Sequence, residues 1–245
     1  MARLHKALHI QRVVIVTPSV YGTDNSVTLW GMKARGNDAR GVAVINDKTP
    51  ESELDALGQA GMRGIRLNLK TVGISDPAVA VQMFQASAER MKKRNWHIQL
   101  FATMEMIRAI KAQLAASPVP LVFDHLAGAE PEKGVDQPGF ADILDLVRAG
   151  KAYVKISVTA GPRHDYSGFI PLAKALIAAS PDRILWGTNW PHPNSVTPPG
   201  RKPTDLTRLW QVDDGLVLNL LPVWAPDPAI RKKILVDNPA RLYGF

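Results

Sequence analysis

The 245-residue chain contains no cysteine, so disulfide bonds, thiolate nucleophiles and cysteine-based zinc sites are all excluded. A chain without cysteine suits the cytoplasm, where we expect this protein to reside. No apolar run approaches the length of a membrane-spanning helix, and the first ten residues are too polar for a signal peptide. We therefore expect no membrane partner.

The sequence also lacks the glycine-rich fingerprints of nucleotide-binding proteins, because neither G-x-G-x-x-G nor G-x-x-x-x-G-K-[ST] follows a predicted strand. The net charge of +8 comes from basic residues scattered along the chain, with short runs only at 91–94 and 231–233. Both runs lie near predicted helix ends, where the helix dipole favours cations. The charge therefore favours a small anionic substrate over nucleic acid.

What the sequence does contain is a regular alternation of strand and helix patterns. Seven short apolar segments, roughly 25–35 residues apart, are predicted strands. They are 13–17, 41–45, 64–69, 97–101, 121–126, 153–157 and 183–188. Crossovers of this length demand parallel pairing, and no linker divides the chain. We predict an α/β fold with one domain, residues 1–245, in the form of a TIM (β/α)8-type barrel that lacks the first strand.

A barrel with seven strands has two free edges, here at 13–17 and 183–188. Free edges present unpaired N–H and C=O groups to other chains. We therefore expect an N-terminally shortened barrel with little activity that self-associates, for example as a homo-oligomer. We also expect an upstream extension that supplies an apolar strand to raise both solubility and turnover.

Polar residues alternate with apolar ones along three predicted strands. The outer face of a barrel strand lies under helices, so the polar residues should point inward. They are Arg66 and Asn68, His97 and Gln99, and Lys155 and Ser157. A single Arg or Lys near a strand end can instead extend to solvent. Several such groups buried without partners would be costly, so a wet pocket fits them better.

Two strands are followed by further polar residues. Asp124 and His125 close an otherwise apolar strand at the end where barrel enzymes place their chemistry. Asn189 and His192 follow the strand at 183–188 in a proline-rich loop. A strand-end histidine can also be purely structural, and His192 can serve only to shape its loop. We interpret His125 as functional because of the polar residues around it.

These motifs carry a resemblance to a known family. With Phe-Asp-His-Leu around His125 and Trp-Gly-Thr-Asn-Trp-Pro-His-Pro around Asn189, the chain resembles the amidohydrolase-related branch of the amidohydrolase superfamily. Within that branch it is similar to the hydrolases around 2-pyrone-4,6-dicarboxylate lactonase. The supporting segments are 18–25, 63–68, 154–157 and 237–244. The resemblance covers essentially the whole chain.

The resemblance implies a TIM-barrel hydrolase that acts on a carboxylated lactone. It implies that this lactone is bound or polarised by Ser19, Arg66, His125 and Arg163. Asn189 takes the position of the carboxylate that activates water in the family.

The sequence departs from the family in three places. Nothing before Val13 supplies the His-x-His pair of the family's first strand, Asn189 replaces the general-base aspartate, and Val72 stands about where a second substrate arginine is expected. An amide neither titrates nor takes a proton near neutral pH. His125 with one neighbour offers too few ligands for a stable catalytic zinc, so we predict no metal and no other cofactor. Related lactonases can act without a metal.

We therefore expect a hydrolase that acts on a small carboxylated lactone or ring ester. The predicted catalytic residues are His125 and Asn189. The predicted substrate-binding residues are Ser19, Arg66, Asn68, Gln99, Lys155, Arg163 and His192. A lactone isomerase or a decarboxylase is the alternative within the family, and isomerisation needs no metal-activated water. A barrel that binds a carboxylated metabolite without turnover is the alternative outside enzymes.

Overall fold

A computed structural model describes residues 1–158, 165–193, 202, 205–206 and 208–245. These residues form a seven-stranded parallel sheet in which the strands neighbour one another in chain order. The strands are β1 (Val13–Val16), β2 (Ala39–Ala43), β3 (Met62–Asn68), β4 (His97–Phe101), β5 (Leu121–Phe123), β6 (Ala152–Ile156) and β7 (Ile184–Trp186). The sheet curls into a partial barrel whose edges are β1 and β7. The predicted seven-stranded α/β barrel is confirmed.

Helices connect the strands and cover the outer face of the sheet. They are α1 (Ala2–Ala7), α2 (Ser26–Arg35), α3 (Glu51–Gln59), α4 (Pro77–Lys92), α5 (Met104–Ala109), α6 (Lys111–Ala115), α7 (Phe140–Arg148), α8 (Phe169–Ala179), α9 (Asp214–Asn219), α10 (Leu221–Trp224), α11 (Pro228–Lys232) and α12 (Asn238–Tyr243). A π-helical turn, Lys233–Asp237, joins α11 to α12. In the part of the chain that the structure describes, no helix has the length and apolar character needed to cross a membrane.

Four predicted boundaries are wrong, one of them at β7, which spans Ile184–Trp186 rather than 183–188. Strand β2 lies two residues earlier than predicted and ends at Ala43, because the Val44 N–H donates to the side chain of Asn25. The predicted helix through 103–116 is divided between α5 and α6 at Ile110. Strand β5 stops at Phe123 rather than at 126, because the next residues leave the extended conformation.

Side chains alternate between the two faces of the sheet as the sequence predicts. The outward side chains of β3, β4 and β6 are buried in the main apolar core between sheet and helices. They are Ile65, Leu67, Ile98, Leu100, Val154 and Ile156. Burying such side chains is the main favourable contribution to folding.

The inside of the barrel is closed at its N-terminal end by the last residues of the chain. Tyr243 of α12 packs against inward side chains of four strands, and its ring centroid lies 5.2 Å from that of His97. Those side chains are Val42, Val122, Tyr153 and Leu185. We call Tyr243, His97 and these four residues the floor layer.

Gly64 lies beside His97 of this layer, and the position requires a glycine. A Cβ atom on Gly64 would lie 2.3 Å from Cε1 of His97, closer than any side chain tolerates. The floor layer therefore depends on a glycine in β3, and it leaves the opposite, C-terminal end of the barrel for polar residues.

Candidate active site

A charged cluster lies immediately above the floor layer. It consists of Arg66, Gln99, Asp124 and Lys155, which come from β3, β4, the end of β5 and β6. Arg66 Nε donates to Asp124 Oδ2 at 2.9 Å, and Lys155 Nζ lies 3.2 Å from Oδ1. Gln99 Nε2 donates to both Asp124 oxygens at 2.8 and 2.9 Å, and its Oε1 accepts from Lys155 Nζ at 2.7 Å. The predicted inward residues of three strands thus converge on one carboxylate.

The cluster carries one excess positive charge, because two cations surround a single anion. Arg66 and Lys155 keep 11% and 14% of their side-chain surface exposed, whereas Asp124 keeps 3%. Burial opposes the ionisation of Asp124, but the Lys155 and Arg66 charges outweigh it and lower the pKa of this carboxyl group. Burial also lowers the pKa of Lys155, and Asp124 counteracts that effect. A partly desolvated cationic surface of this kind attracts an anionic ligand.

Arg66 faces two further predicted residues. Its Nη1 lies 3.3 Å from Ser19 Oγ, and the amide nitrogen of Asn68 also contacts that hydroxyl. The guanidinium carbon lies 5.2 Å from the centroid of the Phe101 ring, within the range of a cation–π contact. The structure therefore brings Ser19, Arg66 and Asn68 together.

His125 leaves β5 in an unusual backbone conformation. His125, Leu126 and Ala127 have φ of +49°, +51° and +58°. The left-handed region costs a non-glycine residue roughly 1–2 kcal/mol, and such strain concentrates at functional sites. This turn ends the strand and directs the imidazole ring to Phe101, whose ring centroid is 5.3 Å away.

The ring of His125 is neutral at neutral pH. Burial lowers its pKa to about 4, with the cations Arg66 and Lys155 acting in the same direction and Asp124 in the opposite one. Nδ1 lies 2.8 Å from Ser157 Oγ, and either atom can be the donor, depending on which ring nitrogen carries the proton.

Asn189 lies at the end of β7, in the left-handed conformation with φ of +63°. Its amide nitrogen donates to the carbonyl of Val158 at 3.3 Å. That bond leaves the side-chain oxygen of Asn189 as an acceptor.

Of the predicted substrate contacts that the structure describes, one lies away from this group. His192 is buried, and its Nε2 lies 3.0 Å from Asp214 Oδ1 rather than in the charged cluster. Arg163 lies outside the described residues.

Three residues in these contacts were absent from the predicted set. The sequence points to Asp124 only as the neighbour of His125, although inward cations in a barrel interior require a counter-ion. The alternation predicts that Ser157 lies inside the barrel but indicates no role for it. The sequence does not indicate a role for Asp214, because Asp214 lies 22 positions from His192 and no local pattern connects the two residues.

The donor set does not fit a divalent metal ion. Within the described ranges, no group of three or more His, Asp or Glu side chains could hold one. Both oxygens of Asp124 are engaged by Arg66, Lys155 and Gln99, so this carboxylate faces cations and an amide N–H. Metal sites instead need several free anionic or imidazole donors. That the reaction needs no metal stays a prediction.

Comparison with known proteins identifies relatives along the whole chain. The amidohydrolase family profile, Amidohydro_2, matches residues 1–245. A 4-sulfomuconolactone hydrolase from Rhizobium radiobacter is 32% identical over 98% of this chain and 78% of the relative. A 2-pyrone-4,6-dicarboxylate hydrolase from Comamonas testosteroni is 31% identical over 98% of this chain and 78% of the relative. A solved apo structure from Agrobacterium tumefaciens superimposes with a TM-score of 0.80 and 27% identity, covering 100% of this chain and 84% of that one.

Proposed function

This chain belongs to the amidohydrolase family, and we propose on that premise that it is a hydrolase that opens the ring ester of a small carboxylated lactone. One observation carries the proposal beyond the family. The partly buried cluster of Arg66, Lys155 and Asp124 has one excess positive charge and adjoins a neutral His125. The cluster supports binding of an anionic ring, and the imidazole supports proton transfer.

Arg66 binds the substrate carboxylate in this proposal. Its Nε is held by Asp124, so the Nη side of the guanidinium is presented in a fixed orientation beside Ser19 and Asn68. A guanidinium held in this way forms paired hydrogen bonds to a carboxylate. Phe101, which contacts both Arg66 and His125, provides an apolar surface for the ring.

Lys155 polarises the lactone carbonyl. Its ammonium group has three N–H donors, of which one is directed to Gln99 and one to Asp124. The third is left for the carbonyl oxygen, on which negative charge develops as water adds. Gln99 thus acts by orienting Lys155 rather than by contacting the substrate.

His125 transfers the proton. Asp124 is neutralised by two cations, so the neutral imidazole is the base that the described site offers. Ser157 accepts from Nδ1–H, and Nε2 takes a proton from the attacking water. The new bond joins the water oxygen to the carbonyl carbon. The ring C–O bond then breaks, and the imidazolium returns the proton to the departing ring oxygen.

Asn189 orients the attacking water. Its amide nitrogen is directed to the Val158 carbonyl, so its side-chain oxygen accepts one O–H of the water. The amide takes no proton, and this leaves the proton transfer to His125.

Product analysis tests the proposal. The purified chain is incubated with a set of lactones that carry a free carboxylate, in ¹⁸O-labelled water, and the products are identified by NMR and mass spectrometry. Hydrolysis opens the ring and places one ¹⁸O atom in the new carboxylate. Ring migration without label would indicate an isomerase, loss of carbon dioxide a decarboxylase, and binding without turnover a metabolite-binding barrel. Each of these three outcomes would contradict the proposal.

We further infer a cytoplasmic location and assembly into a homo-oligomer. The absence of cysteine supports the first. The two edge strands of the sheet, β1 and β7, support pairing between copies.

A further inference from the structure

The loop after β7 contains a buried histidine–aspartate pair that the proposed chemistry does not use. His192 Nε2 and Asp214 Oδ1 are 3.0 Å apart, and the two side chains are only 5% and 6% exposed. Buried polar groups are costly unless they are paired, so each partner stabilises the position of the other. Among the described residues, the Nδ1 atom of His192 has no hydrogen-bond partner, which leaves Asp214 as the polar contact that fixes the ring.

The pair connects helix α9 to the backbone of Asn189. Asp214 is the first residue of α9, whose N-terminus is capped by the side chain of Asp213. On the other side, the His192 N–H donates to the Asn189 carbonyl at 2.9 Å, which closes a four-residue turn. The His192 carbonyl accepts from the Trp210 N–H at 3.0 Å. The contacts therefore run from α9 through His192 to the residue that is proposed to orient water.

The turn has left-handed backbone at both ends. Asn189 and His192 have φ of +63° and +58°, in the left-handed region. Few non-glycine residues adopt this conformation, although Asn and His do so more often than most, and here the contacts around the turn keep both residues in it. Without the buried pair, the turn is expected to relax, and the side chain of Asn189 would then rotate with its backbone.

We propose that His192 and Asp214 are positioning residues that hold the 189–192 turn and thereby direct the amide oxygen of Asn189 at the attacking water. The catalytic consequence rests on the proposed lactone hydrolysis, whereas the structural consequence does not. This role replaces the substrate contact that the sequence predicted for His192.

Kinetics of three variants tests the positioning role. His192→Ala removes the contact, whereas the amide nitrogen of His192→Gln still reaches Asp214. We expect kcat of His192→Ala to fall about 10–100-fold while KM changes less than about threefold, because the chemical step loses its geometry while substrate binding is kept. His192→Gln should recover most of kcat. His5→Ala, which removes another buried histidine in α1, is the matched control and should keep the wild-type kcat.

A double-mutant cycle separates positioning from a general structural role. If His192 acts through Asn189, the double variant His192→Ala/Asn189→Ala should be no slower than Asn189→Ala alone. The proposal would be overturned if the losses in kcat of the two single variants multiply in the double variant, or if His192→Gln does not recover kcat. It would also be overturned if His192→Ala lowers Tm but leaves kcat unchanged.

An NMR measurement makes the test independent of turnover. The side-chain amide signals of Asn189 are assigned by their loss in Asn189→Ala. We expect them to shift in His192→Ala and to return in His192→Gln. If the wild type opens no lactone but the shifts follow this pattern, the proposed function fails and the positioning role stands. If the signals stay fixed in His192→Ala, the positioning role is wrong whatever the activity.

Discussion

Two layers of side chains fill the inside of the same strands, and they differ in polarity. Three strands, together with β5 and the residue that follows it, place one residue toward the floor and one toward the charged cluster, two positions apart. The pairs are Gly64 and Arg66, His97 and Gln99, Val122 and Asp124, and Tyr153 and Lys155. Two positions along a strand span about 7 Å. The barrel interior therefore changes from apolar packing to an ion network within that distance.

This difference in polarity indicates that the floor layer contributes to stability and the charged cluster to catalysis. The floor layer makes apolar contacts, so its substitutions should act on the free energy of unfolding. The charged cluster keeps some solvent access, so its substitutions should act on turnover. Asp124 should affect both stability and turnover, because it is buried and also holds Arg66 and Lys155 in place.

Asp124→Asn should have the largest effect. It leaves Arg66 and Lys155 without a counter-ion, so the free energy of unfolding should fall by about 3–5 kcal/mol, with loss of turnover. Urea denaturation and kinetics measure the two effects. Asp142→Asn removes one of the two carboxylates that pair with the partly exposed Lys111, the other being Asp145, and should cost less than about 1 kcal/mol. An equal loss in both variants would contradict the buried ion network.

Tyr243→Ala should act on stability alone. Removing the ring empties the floor layer, and the free energy of unfolding should fall by about 3–5 kcal/mol. Turnover per folded molecule should stay near that of the wild type. Trp30→Ala, in which the ring is 73% exposed, should change the stability by less than about 0.5 kcal/mol. If Tyr243→Ala lowers kcat as far as it lowers stability, the two layers are not separate.

Acid should destabilise the fold through both layers. Burial, with the nearby Lys155 charge, lowers the pKa of His97 to about 3, and burial lowers that of His125 to about 4. Below the ordinary pKa of 6.5 the unfolded chain binds protons that the folded chain does not, so stability falls as the pH drops from 6.5 toward 4.

The slope of this dependence can be measured. His97 should contribute about 1.4 kcal/mol per pH unit in this window. The lowered pKa of Asp124 adds a loss only below its ordinary value of 3.8. Tm measured from pH 7 to 4.5 should therefore fall, and it should fall less steeply in His97→Gln. A Tm that stays constant or rises toward pH 4.5 would contradict the claim that His97 and His125 are buried in the neutral form.

Ser157→Ala should have the smallest effect. It removes the partner of His125 Nδ1, and kcat should fall about tenfold, which corresponds to one hydrogen bond of about 1–2 kcal/mol. Ser117→Ala removes a buried hydroxyl that bonds the Val119 carbonyl and should leave kcat unchanged. Equal kcat values for Ser157→Ala and the wild type would show that Ser157 does not set the tautomer of His125.

The fold and the inward residues of three strands could be predicted because both follow from local pattern. Alternation with period two assigns a face to each side chain, and it predicts Arg66, Gln99 and Lys155 inside the barrel. The roles of these residues in substrate binding stay predictions.

The contacts between distant residues could not be predicted from local pattern. Arg66 and Asp124 are 58 positions apart, and the position of Tyr243 in the floor layer depends on how the barrel closes. The left-handed turn after β5 is not predictable from the sequence either, because His125, Leu126 and Ala127 are not glycines and residue types such as Leu and Ala rarely adopt positive φ.

The central claim is that the charged cluster binds the carboxylate of a lactone through Arg66. The most direct measurement is kcat/KM for a carboxylated lactone and for its methyl ester, in the wild type and in Arg66→Ala. The wild type should prefer the free acid, and Arg66→Ala should lose roughly 2–4 kcal/mol in kcat/KM for the acid and little for the ester. Arg90→Ala, at the surface beside Glu51, should behave as the wild type. Equal turnover of acid and ester by the wild type would contradict the claim.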